Sequence, residues 1–132
     1  MHKLTVCFSA LAVLALLVTA RWLEPAQNGY GTHQQLGLPV CTWRALWGIP
    51  CPACGMTTSW SLMMRGQWQA AMEANLGGSL LAIIALAYLA AVCYCLAGGR
   101  AWTRQQRTLT LAVSLLGAMA VAIAQWAFRL AE

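Results

Sequence analysis

From Gly77 to Leu96 the chain runs for twenty residues without a charged side chain, and from Leu109 to Leu130 Arg129 is the sole charge. At about 1.5 Å of rise per residue, a helix of either run crosses roughly 30 Å of hydrocarbon. A third run, Leu4 to Ala20, follows the short basic start His2-Lys3 and reaches 17 residues, near the lower limit for a span. With 61% hydrophobic and 8% charged side chains, against about 25% charged in a soluble domain, these runs ask for a bilayer. The expected fold class is an all-α integral membrane protein. Its residues 1–132 form a single membrane domain with spans near 4–20, 77–96 and 109–130.

The first run has a competing use. Val18-Thr19-Ala20 carries the small residues of a signal-peptide cleavage site. The length of the apolar run favours a retained anchor, with Arg21 and Trp22 at the far interface. Residues 24–50 hold Asn28-Gly29, Gly31, Gly37, Pro39 and Gly48, punctuation that predicts turns and loops. Trp43 and Trp47 place the second half of this linker back on the membrane interface, where indoles gather.

The motif and helix-pair region extends over about residues 40–75. Pro52 suits the first turn of a helix that opens on the motif, with Cys51 as its cap. Met56, Trp60, Met63, Met64, Trp68, Ala71 and Met72 form an apolar stripe, and Ser61, Arg65, Gln69 and Glu73 a polar one. That is the pattern of an amphipathic helix lying in the interface. Gly66, in Arg65-Gly66-Gln67, divides it into two short helices.

The net charge of +5 is scattered, so no basic face suggests nucleic acid. Arg100, Arg104 and Arg107 crowd one short turn between the last two spans, and such a turn stays in the cytoplasm. Lys3 then lies inside, with the motif loop outside. Arg21, Arg44, Arg65 and Arg129 fall on the outer side, so density near the spans decides rather than the count. The spans contain no acidic residue and no histidine, which leaves a proton or ion path unsupported.

Chemistry is confined to Cys51-Pro52-Ala53-Cys54-Gly55. The chain has no Asp, and Glu24, Glu73 and Glu132 are its only carboxylates. Cys7, Cys93 and Cys95 sit in apolar runs as packing residues. That leaves Cys41, Cys51 and Cys54, an odd number that yields no paired disulfide framework. Two thiols three positions apart are half a closed tetrahedral metal site. Cys41 and His33 would complete a Cys3His set for zinc or another thiophilic metal, or a second copy of the chain would give its own pair in a homo-oligomer. His33 by itself reads as a solvated histidine in a glycine-rich loop. The pair could instead serve as catalytic thiols, Cys51 attacking and Cys54 resolving, with the helix start lowering the Cys51 pKa. A purely structural role, fixing the turn, is the third alternative.

The segment from Val40 to Leu96 resembles the bacterial membrane family called domain of unknown function 2752 (DUF2752). The likeness rests on Cys51-Pro52-Ala53-Cys54-Gly55-Met56-Thr57, the Arg-Gly break and the Ala-rich stretch ending at Asn75. The family usually has Arg at the position of Thr58, Asp at that of Gln67 and Pro at that of Leu76. Thr58 removes a cation from beside the thiols. Gln67 is a poorer cap for the second short helix, while Asn75 still caps the span. The resemblance implies residence in a bacterial inner membrane and brings no activity. The chain is expected to be a membrane component whose Cys51/Cys54 pair binds metal or fixes structure, or alternatively a membrane thiol–disulfide oxidoreductase. Its one certain partner class is the lipid bilayer.

Overall fold

Three helices are long and apolar enough to cross a membrane, and the rest of the chain gathers at one end of them. The computed structural model describes residues 2–99 and 103–131, so Arg100 of the three-arginine turn and Glu132 lie outside it. In order come α1 (His2–Trp22), a 3-10 turn (Thr32–Leu36), α2 (Thr42–Trp47), α3 (Met56–Met63), α4 (Trp68–Ala74), α5 (Leu76–Leu96) and α6 (Arg104–Ala131). No strand occurs among the described residues. The three long helices are α1, α5 and α6.

The last span is longer than its apolar run suggests. Arg104 and Arg107 stand in the first turn of α6 rather than in the connecting turn. The linker is not featureless either, since parts of it fold locally into the 3-10 turn and α2.

α5 and α6 meet where side chains are smallest. A Cβ on Gly77 would stand 2.5 Å from Ala122 Cβ and 2.7 Å from the Ala118 carbonyl oxygen. Ala118 and Ala122 are buried, as the small residues of a close membrane helix pair should be. A Cβ on Gly117, by contrast, would meet nothing within 4 Å. Next to this contact, Gln125 staples the helix ends. Its Oε1 accepts the Leu76 N–H (2.6 Å) and its Nε2 donates to the Met72 carbonyl (3.0 Å).

The break between α3 and α4 follows from Gly66, whose φ of +75° only glycine adopts easily. The Gly66 N–H bonds to Met63 O and the Gln67 N–H to Leu62 O, the paired bonds of a Schellman stop. Gln67 then heads α4 without a side-chain cap.

The expectation for the start of α3 fails. The helix begins at Met56 with Gly55 as its cap, not at Pro52, and residues 51–55 form a turn before it. Gly55 has φ +85°, and a Cβ there would stand 2.5 Å from Ala74 O and 2.7 Å from Gly29 O. The left-handed glycine thus breaks the chain direction between thiols and helix and lets the motif lie flat on the end of α4.

The hydroxyl residues of α3 are turned inward, whereas Gln69 and Glu73 of α4 are exposed. Thr58, Ser59 and Ser61 are fully buried, while Trp68 and Met72 are exposed. α3 packs against α1, α4 and α5, and the hydroxyls find partners inside that packing. Ser59 Oγ pairs with Ser79 Oγ (2.8 Å), Thr58 Oγ1 with Thr32 Oγ1 (2.8 Å), and Ser61 Oγ donates to Leu23 O (2.5 Å). Short hydroxyl side chains satisfied in this way allow helices to approach closely.

Gly77→Ala tests the close contact of α5 and α6. Helix propensity favours alanine by about 0.5–1 kcal/mol, while overpacking against a backbone carbonyl costs roughly 1–3 kcal/mol. Unfolding in mixed detergent micelles should therefore show a lower midpoint for Gly77→Ala. A raised midpoint would show that α6 yields to the extra methyl group.

Candidate thiol cluster

The turn at 51–54 brings its two sulfurs together. The Cys54 N–H bonds to Cys51 O (3.0 Å), the Cys51 N–H donates to Cys54 Sγ (3.2 Å), and the two Sγ atoms stand 3.4 Å apart. Cys41, at the head of α2, adds a third sulfur, so that all three Sγ atoms lie within 4.8 Å of one another. None of the six cysteines is in a disulfide. His33 lies on the wall of the same cavity but outside the thiol cluster, its Nε2 3.1 Å from Pro39 O.

Two outside helices hold the turn in place. The Asn75 side chain donates from Nδ2 to both Pro52 O (3.0 Å) and Cys54 O (3.1 Å), while its Oδ1 accepts the Gly78 N–H (2.7 Å) that starts α5. From α6, Trp126 Nε1 donates to Pro50 O (2.6 Å). Arg129 donates to the last carbonyls of α4, those of Glu73 and Ala74. Among these, sequence reasoning identified Asn75 as a helix cap and missed that it also grips the motif. The available signal was an amide side chain placed where the helix pair ends and the span begins.

The cluster opens onto a cavity of about 470 Å³ lined in part by Tyr30, His33, Arg44 and Met56. Arg44 lies with its guanidinium carbon 3.6 Å from the centre of the Tyr30 ring, a stacking that holds a fixed cation on the cavity wall. Arg44 follows Cys41 by three residues, one helical turn, and that spacing was the sequence's clue to it.

The thiols differ in acidity. Cys41 is lowered to about 7, chiefly by the Arg44 backbone amide, against the effect of burial, with further help from the neighbouring thiols. That amide falls outside the geometry of a side-chain cap bond, so its effect is that of a nearby dipole. Cys54 is pushed up to about 12, first by burial and then by the Cys51 and Cys41 thiols beside it, although the Cys51 amide opposes the rise. The readily ionised thiol is therefore Cys41. Cys51, expected to be activated by a helix start, has none, because that start lies four residues further on at Gly55.

Residues 41–90 match the model of the family described as Protein of unknown function (DUF2752). The resemblance read from the motif is therefore shown for this segment. The DUF2752 match begins at Cys41 and so takes in all three clustered thiols, the α3–α4 pair and Asn75. No curated protein and no solved structure matches the chain.

Alkylation of the metal-free protein tests the acidity order, since only a thiolate attacks iodoacetamide. The Cys41 rate should rise with a midpoint near pH 7, and Cys54 should stay unreactive through pH 10, well below its value of about 12. Peptide mass spectrometry assigns the sites. Modification of Cys54 ahead of Cys41 would contradict the arrangement.

Proposed function

We propose that this chain is a bacterial inner-membrane protein in which Cys41, Cys51 and Cys54 hold one thiophilic metal ion. The observation that carries the reading is the convergence of three sulfurs within 4.8 Å from two separate segments. A zinc–sulfur bond of about 2.3 Å with tetrahedral angles sets sulfurs roughly 3.8 Å apart. The closest pair, at 3.4 Å, and the outer limit of 4.8 Å bracket that value, so shifts of less than about 1 Å bring the set onto an ion. Three thiolates select soft or borderline ions such as Zn(II) or Cu(I). His33, which lines the same cavity as the three thiols, would be the nearest candidate for a fourth ligand from the sequence-predicted set. A bound cation also resolves the crowding of the thiols, because it favours the deprotonated form of all three.

A second reading is favoured by the 3.4 Å between Cys51 and Cys54, close enough to close a disulfide after small movement. In that reading the chain is a thiol–disulfide oxidoreductase. The pair gives two electrons and two protons to a partner's disulfide, which becomes two thiols as the Cys51–Cys54 bond forms. Cys51 attacks one partner sulfur and releases the other as a thiol, and Cys54 then resolves the mixed disulfide and releases the second partner thiol.

Metal analysis with thiol titration on the detergent-purified protein separates the two. Metal binding predicts about one ion per chain, and loss of at least tenfold in occupancy for each of Cys41→Ser, Cys51→Ser and Cys54→Ser, since each removes a ligand. Metal-free wild-type protein, together with partners trapped as mixed disulfides on Cys54→Ser, would overturn it in favour of the redox reading.

The motif end of the molecule is assigned to the outer face of the membrane, on the strength of the arginines at the opposite end. A membrane-impermeant maleimide should label a variant with Cys41 as its only cysteine in intact cells. Labelling confined to lysed cells would reverse the orientation.

A further inference from the structure

α1 and α6 both pack against α5 and not against each other among the described residues. Between them lies a cleft of about 720 Å³, floored by Leu81, Ile84, Ala85 and Tyr88 of α5. Val13 of α1 and Leu111 and Leu115 of α6 continue the apolar wall, and Trp60 of α3 also lines it. The Ser9 and Tyr88 hydroxyls satisfy each other at 2.6 Å, so they present no open demand for a polar ligand. Arg107 lines the cleft as well, and its guanidinium has no hydrogen-bond or ion-pair partner among the described residues.

We infer that this cleft holds one anionic phospholipid, an acyl chain against α5 and the headgroup phosphate on Arg107. The dimensions fit. From Arg107 to Leu115 is eight residues, about 12 Å of helix, close to the roughly 15 Å of hydrocarbon in one leaflet. The charge fits too. Helix order brings Lys3 and Arg104 to the same end as Arg107, while Glu24 and Glu73 belong to the segments at the other end. An arginine inside a span requires a counter-charge or a route to the interface, and a phosphate at headgroup depth supplies the first. The apolar wall excludes a wholly polar ligand such as free phosphate.

Native mass spectrometry of the full-length protein tests the assignment, after incubation in micelles containing equal amounts of phosphatidylglycerol and phosphatidylcholine. One phosphatidylglycerol should be retained per chain, about fivefold over phosphatidylcholine, the weight of one basic residue facing anionic lipid. Arg107→Gln should abolish that preference, while Arg21→Gln, an exposed arginine at the other end of α1, should leave it intact. Ala112→Phe, which fills the cleft, should reduce retention of both lipids. Because Arg107→Gln preserves the packing, it decides the matter even where Ala112→Phe misfolds. Equal retention of the two lipids, equal effects of Arg107→Gln and Arg21→Gln, or a dimer of the chain lost on Ala112→Phe would each overturn the proposal.

Discussion

The buried amide of Asn75 is the joint on which the arrangement turns. Its two N–H bonds hold the carbonyls of Pro52 and Cys54, and its oxygen starts α5. One side chain thus fixes a thiol-bearing turn to the end of a membrane span, and every hydrogen-bonding group that it presents to the protein has a use. Removing it would strand two carbonyls and one N–H in a site with little access to water, at a cost of about 1–3 kcal/mol for each group left unpaired. Aspartate would be worse than its shape suggests, because a carboxylate oxygen would face two carbonyl oxygens. The requirement at this position is for a donor and an acceptor together.

The same economy governs the other polar groups. A chain entering hydrocarbon has to satisfy them internally. Serine and threonine of α3 do so by pairing across helices with Ser79, Thr32 and Leu23 O, and Gln125 and Arg129 of α6 do so by capping exposed backbone at the ends of α4 and α5. One buried donor, the Trp60 indole N–H, stays without a partner among the described residues. Small residues and short hydroxyls let the helices close in, and longer polar side chains finish the ends.

The spans and the two short helices were legible because length, absence of charge and a single glycine are local properties. The α3–α4 break is written in Gly66 alone. The inward turn of Thr58, Ser59 and Ser61 was not legible, because hydropathy assigns a serine to water unless its partner, 20 or more residues away, is known. The start of α3 was misread for a related reason. Proline at a first helical position is a good local signal, yet Gly55 has to take a left-handed conformation for the motif to pass over Ala74 O, and that is a tertiary demand. Cys41 was recognised as a candidate only by elimination. Nothing in the local sequence reveals that the chain at the head of α2 returns the Cys41 sulfur to the pair.

That return has a consequence for the chain between the thiols. α2 buries none of its residues and is attached through side chains, Trp43 against the Trp126 ring at 5.8 Å and Arg44 over Tyr30. Of all the helices it has the least to lose by opening, which places it at the low end of the molecule's local stabilities. A bond shared by Cys41 and the 51–54 turn would close a loop of about a dozen residues and remove much of the entropy gained when α2 frays. The occupancy of three sulfurs would then be read out as the order of a six-residue helix on the membrane surface.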